Sequence, residues 1–145
     1  MLNIGDKAPS FSVQDHQGKT VSLAGLAGKK IVLWFYPKAD TPGCTAEGCA
    51  FRDRQAQFAA KNAVLLGVSF DTVSENAAFA RKFGFEFPLL CDTARSIGVD
   101  YGACATATDS HAKRIAYVID EHGKIVKAYP SVQAASFPET VLGEI

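Results

Sequence analysis

The run Lys30-Ile31-Val32-Leu33-Trp34-Phe35-Tyr36 constrains the fold more than any other part of the chain. A strand with one wet face alternates apolar and polar residues, whereas this run stays apolar, as expected of a strand covered on both faces. Pro37 ends it, because proline cannot continue a central ladder. Ala63 to Phe70 repeats the pattern as the next buried strand. Between the two, Cys44 to about Lys61 reads as a helix, with Phe51 and Phe58 on one face and Arg52, Asp53 and Gln57 around them.

The remaining segments fit around that pair of strands. Thr72 and Glu75 have capping-box spacing, and Phe79 and Phe83 share a face, so a second helix is expected from about Ser74 to Phe83, stopping at Gly84. Phe11 to Leu23 reads as an N-terminal hairpin about Asp15-His16-Gln17-Gly18. Arg114 to Ile119 and Lys124 to Tyr129 read as strands joined by Asp120-Glu121-His122-Gly123, and Phe137 to Ile145 as a short last helix. From Asp92 to Lys113 only a helical turn near Arg95 to Val99 and a loop can be placed. This alternation predicts an α/β domain built on one sheet. With 145 residues, 48% of them apolar, and no repeat or linker, residues 1–145 are expected to form one domain.

Charge narrows the partners. Fifteen Lys and Arg balance fifteen Asp and Glu, which gives no electrostatic reason to expect nucleic acid or an anionic membrane. No basic stretch and apolar run open the chain, and no segment approaches ~18 consecutive apolar residues, so a soluble, cytoplasmic, non-secreted protein is expected. Four cysteines, at positions 44, 49, 91 and 104, allow three complete pairings, but a core of this size needs no staples. The thiols therefore read as reduced, reactive or buried. His16, His111 and His122 stand at no zinc-like spacing from Cys44 and Cys49, and no metal is expected.

The chemistry is concentrated where the first buried strand meets its helix, at Thr41-Pro42-Gly43-Cys44. A thiol in the first turn meets free backbone N–H groups and the positive end of the helix dipole, which favour its anion. An ordinary thiol of pKa ~8.5 is about 3% ionised at pH 7, so complete ionisation gains roughly thirtyfold, or ~2 kcal/mol. A fast thiol reaction requires more: donors that hold the substrate and stabilise charge on the departing group.

Pro37, Thr41 and Cys44 match the Pro-x-x-x-Thr-x-x-Cys signature, and here the chain resembles the peroxiredoxins. Thr-Pro-Gly-Cys-Thr, followed by Glu47 and Cys49, is similar to the PrxQ or bacterioferritin-comigratory-protein branch of the AhpC/TSA family. The similarity extends from Gly5-Asp6-Lys7-Ala8-Pro9-Ser10-Phe11 through Val68-Ser69-Phe70-Asp71 and Phe87-Pro88-Leu89-Leu90 to Arg114-Ile115-Ala116-Tyr117-Val118-Ile119-Asp120. It implies a thioredoxin-like fold, a central mixed sheet flanked by helices, and a thiol-dependent peroxidase acting on hydrogen peroxide and organic hydroperoxides. By that resemblance Cys44 is the peroxidatic cysteine and Cys49 the resolving one. Thr41 orients the peroxide, Pro37 shields the thiolate, and Arg114 supplies a permanent cation with fixed donors. Thioredoxin or a glutaredoxin-like protein is the implied reductant, no cofactor is needed, and an internal resolving cysteine favours a monomer over a dimer. The rivals are a thioredoxin-like disulfide oxidoreductase, which normally uses a Cys-x-x-Cys absent here, and a non-catalytic redox sensor.

If Cys44 and Cys49 pair, helix geometry imposes a conformational change. Five residues rise ~7.5 Å and turn ~140°, leaving the α-carbons roughly 8.6 Å apart, beyond the about 7 Å a disulfide tolerates. The turns from Cys44 to Ala50 are therefore expected to unwind, with Gly43 and Gly48 lowering the cost. Cys91 is expected in the core, and Cys104 lies in a small-residue loop that leaves its exposure open, with a secondary or intermolecular disulfide as the lesser alternative. Glu47 reads as a solvated first-turn carboxylate, with a proton relay as the alternative. Trp34, Phe35 and Tyr36 read as core and pocket wall, and Arg52 and Arg54 as surface charges.

Overall fold

In the computed structural model, which describes residues 1–145, the doubly covered run at Lys30 is the middle strand of a five-stranded sheet. In chain order the elements are β1 (Ser12–Gln14), β2 (Thr20–Ser22), a 3-10 turn (Ala24–Leu26), β3 (Lys30–Phe35), α1 (Pro42–Asp53), α2 (Gln55–Ala60), β4 (Ala63–Ser69) and α3 (Val73–Phe83). There follow β5 (Leu89–Cys91), α4 (Ser96–Asp100), β6 (Ala116–Ile119), β7 (Ile125–Tyr129) and α5 (Phe137–Glu144). The sheet order is β5-β4-β3-β6-β7, with β3, β4 and β5 parallel and β6 and β7 antiparallel to their neighbours. It is therefore a mixed sheet flanked by helices, with β1 and β2 as a separate antiparallel hairpin.

The two faces of β3 explain its unbroken apolar character. Val32, Trp34 and Tyr36 pack with Phe51, Phe58, Phe79 and Phe137, so α1, α2, α3 and α5 cover one face. Ile31, Leu33 and Phe35 pack with Ile97, Tyr101 and Ile125, under α4 and the hairpin. Each face carries 17 buried residues, so neither is the minor side. Both sheet edges are blunted, which protects them from pairing with other chains. Asp15 bridges Leu90, with the Leu89 N–H donating to His16 Nδ1 at 3.2 Å, and Lys7 bridges Lys124 beside β7.

Several boundaries depart from the sequence expectation. The expected helix from Cys44 to Lys61 breaks at Arg54 (φ −113°, ψ 6°), and it begins at Pro42, which suits the first helical position. Phe51 and Phe58 would be ~10.5 Å apart along an unbroken helix. With the break, both rings are fully buried and their centroids lie 5.7 Å apart. Leu89–Cys91, read only as an apolar run, is a short parallel strand beside β4. Strand β6 starts at Ala116, so Arg114 stands just before the ladder rather than opening it. The second helix conforms: Thr72 and Glu75 form a reciprocal capping box, and Gly84 ends the helix at φ 70°.

Candidate active site

Strand register brings the site together. In the antiparallel pair, Trp34 lies opposite Ala116, and the Phe35 N–H donates to the Ile115 carbonyl at 2.9 Å. The end of β3 therefore faces the entry to β6, and Arg114 arrives beside the start of α1 despite 70 residues of separation from Cys44. Its guanidinium spans two acidic side chains, donating through Nη2 to Cys44 Sγ at 3.4 Å and through Nη1 to Glu47 Oε1 at 2.7 Å. Cys44 and Glu47 are both fully buried, whereas the Arg114 side chain keeps 21% of its surface exposed and roofs them.

Gly43 permits this approach: a Cβ there would lie 2.8 Å from Arg114 Nη2. Gly48 serves packing in the same way, since a Cβ would meet Phe85 Cζ at 2.5 Å. The first backbone bond of the helix runs from the Thr45 N–H to the Thr41 carbonyl at 2.8 Å, so the Gly43 and Cys44 N–H groups precede it and remain available to an anion.

Thr41 occupies the N-cap but makes no side-chain cap; its hydroxyl donates to the Lys38 carbonyl at 2.7 Å. With the proton committed there, the oxygen lone pairs are left to accept a hydrogen bond. The loop carrying Thr41 is pinned by Asp71, whose side chain is almost wholly buried and accepts from Lys38 Nζ at 2.8 Å, the Ala39 N–H at 2.8 Å and Ser69 Oγ at 2.7 Å. Pro37, half-buried, stands two residues past the end of β3, immediately before this loop.

Glu47 corrects an expectation. It is not a solvated first-turn residue but a buried one, and burial pushes its carboxyl up to about 7 against the opposing pull of Arg114. Its Oε2 has no hydrogen-bond partner. Cys49, on the same helix, is half-buried against the helix-covered core. Cys91 lies in the core as expected, accepting from Asn76 Nδ2 at 3.4 Å, with burial pushing its thiol up. Cys104, whose exposure the sequence left open, is 6% exposed: its Sγ lies 3.0 Å from where a Gly98 Cβ would stand, so the loop packs tightly on α4. Arg52 and Arg54 turn outward, to the Phe83 and Ala50 carbonyls.

The sequence reading missed Asp71 and Lys38 as supports of the loop, and misjudged Glu47. For Glu47 the available signal was its place three residues after Cys44, on the same helix face. For Asp71 it was a carboxylate directly following a buried strand. No three His, Cys, Asp or Glu side chains converge as a metal site, and no helix is long and apolar enough to cross a membrane.

Residues 4–128 match the profile of the AhpC/TSA family. Peroxiredoxin Q of the Populus jackii chloroplast is 39% identical over 128 residues, which cover 88% of this chain and 60% of that protein. The crystal structure of peroxidoxin BcpB from Mycobacterium tuberculosis superposes with a TM-score of 0.91 at 31% identity, over 99% of this chain and 96% of the other. A bacterioferritin comigratory protein of Xanthomonas campestris, described for its alkyl peroxide reduction, superposes at 0.87 with 29% identity, over 92% and 88% of the two chains.

Proposed function

The chain belongs to the AhpC/TSA family and is a thiol peroxidase of thioredoxin-like fold, and on that premise we propose that Cys44 is the thiol that attacks the peroxide. What carries this reading is the Arg114 guanidinium bonded to Cys44 Sγ at 3.4 Å over the first turn of α1. A fixed cation and two free N–H groups hold a thiolate and, during attack, the charge growing on the departing oxygen. The Thr41 oxygen accepts the peroxide O–H and aligns the O–O bond, while Pro37 walls the thiolate from water. Attack transfers the terminal OH to sulfur and leaves Cys44 as a sulfenic acid.

Cys49 resolves that sulfenic acid, giving a Cys44–Cys49 disulfide and water. Both cysteines lie within α1, so pairing requires the turns from Pro42 to Ala50 to open. Phe51 sets the limit of the opening, because its ring is held by Trp34 at 4.9 Å, Phe58 at 5.7 Å and Phe137 at 6.1 Å. A dithiol of the thioredoxin or glutaredoxin type then reduces the disulfide. The protein works as a monomer of one domain on hydrogen peroxide and alkyl hydroperoxides, and no cofactor takes part. Peptide mapping after one equivalent of peroxide tests the scheme. A Cys44–Cys49 bridge, and loss of thioredoxin-dependent peroxide consumption in Cys44→Ser, are expected; a bridge from Cys44 to Cys91 or Cys104 overturns the pairing.

A further inference from the structure

Arg114 brings one positive charge to two buried acids. Its Nη2 serves Cys44 Sγ at 3.4 Å and its Nη1 serves Glu47 Oε1 at 2.7 Å. Were both acids ionised, the cluster would hold an uncompensated negative charge away from water, which is costly. No second cation relieves it: Arg114 is the only partner in an ion pair with Glu47, and Phe85 lies against the neighbouring Gly48. Glu47 Oε2 is buried without a partner, an arrangement that suits a neutral carboxyl better than a carboxylate with its larger demand for donors.

We propose that Cys44 and Glu47 share a single negative charge, and that Glu47 is the acid that protonates the oxygen leaving the peroxide. The inference rests on Cys44 being the attacking thiol. Before reaction Cys44 is the thiolate and Glu47 the acid. The sulfur electron pair attacks the terminal oxygen of ROOH, the S–O bond forms and the O–O bond breaks. The departing RO takes the proton from Glu47, directly or through one water, and leaves as ROH. Cys44 is then a neutral sulfenic acid and Glu47 a carboxylate, so the charge of minus one is conserved and Arg114 keeps an anion throughout. The carboxyl pKa of about 7 places Glu47 near neutrality, where a group gives and regains a proton with least loss. The transfer also moves the anion that holds Arg114 from the sulfur to Glu47, freeing Cys44 to leave the site for Cys49.

The test compares leaving groups of different basicity in single-turnover oxidation, following sulfenic acid formation at Cys44. Alkoxide from cumene hydroperoxide needs the proton, whereas acetate from peracetic acid is a weak base and does not. Glu47→Gln, which keeps a carbonyl oxygen for Arg114, is expected to slow cumene hydroperoxide by about a hundredfold and peracetic acid by less than about threefold. Glu47→Asp should recover part of the cumene hydroperoxide rate. Equal losses with both oxidants would mean that Glu47 only positions Arg114, and no loss with either would also overturn the proposal. Wild-type protein that forms no sulfenic acid at Cys44 with either oxidant would instead overturn the assignment of the attacking thiol.

Discussion

The helices α1 and α3 begin alike in sequence and differently in structure. Each starts after a buried parallel strand, with a threonine at the N-cap, Thr41 and Thr72. In α3 the third helical residue is Glu75, whose carboxylate accepts from the Thr72 N–H at 3.0 Å while Thr72 Oγ1 accepts from the Glu75 N–H at 3.2 Å. In α1 the corresponding residue is Cys44, and the Thr41 hydroxyl turns away to Lys38. The nearby glutamates diverge accordingly. Glu75, in water, is held down to about 2 by the Thr72 N–H and by Lys38, whereas Glu47 is raised to about 7 by burial. One helix start is closed by its own caps; the other has no side-chain cap, and over its first turns Arg114 bonds the very thiol proposed to react. A start left uncapped can be opened by changing the charge of two side chains.

Removing the external support should have the largest effect. Arg114→Met is expected to lower the peroxidase rate by about a thousandfold, the cost of losing both a charged donor and the partner of a buried acid. Steady-state turnover with thioredoxin measures it.

Next in size is the pH dependence of stability. A carboxyl whose pKa is raised on folding binds more protons folded than unfolded, so its contribution is fully present below about 4.5 and is lost as pH rises through about 7. Relative to Glu47→Gln, the wild type should lose on the order of 2–3 kcal/mol between pH 5 and pH 8 in urea unfolding. A parallel dependence in the two proteins would place Glu47 in an environment no different from that of Glu75.

Gly43→Ala sharpens the comparison with a smaller change. Its Cβ would lie 2.8 Å from Arg114 Nη2, the end of a flexible side chain that can move aside. The rate should fall roughly tenfold while the melting temperature stays within a few degrees.

The smallest expected effect is on the capped helix. Thr72→Ala removes a capping box and should cost about 1 kcal/mol of stability without altering peroxide turnover. Thr41→Val should do the reverse, because the hydroxyl it removes caps nothing.

What the sequence disclosed follows the same division. The capping box of Thr72 and Glu75 was legible because its partners lie three residues apart, and Lys30 to Tyr36 because both faces of one strand record their burial. Thr41 and Cys44 were legible as a local motif. Glu47 was not, because its surroundings depend on Arg114, which lies 67 residues away and is aligned only by the pairing of β3 with β6. The helix-dipole argument for a solvated carboxylate was sound for an isolated helix and failed once the fold buried Glu47, a loss of water that the pull of Arg114 only partly offsets. The hold of Asp71 on Lys38 and Ala39 depends likewise on β3 and β4 running parallel. Leu89–Cys91 is too short to show a period, and the burial of Cys104 rests on its contact with Gly98, which its small neighbours do not reveal.

The central claim is that the helix presenting Cys44 opens so that Cys49 can reach it. Hydrogen exchange resolved along the chain, in the reduced protein and after one equivalent of peroxide, tests it most directly. Amides from Thr45 to Ala50, the first bonded ones of α1, should lose protection on oxidation, while those from Glu75 to Phe83 keep theirs and the change stops at Phe51. A Cys44–Cys49 disulfide formed with α1 as protected as before would contradict the account.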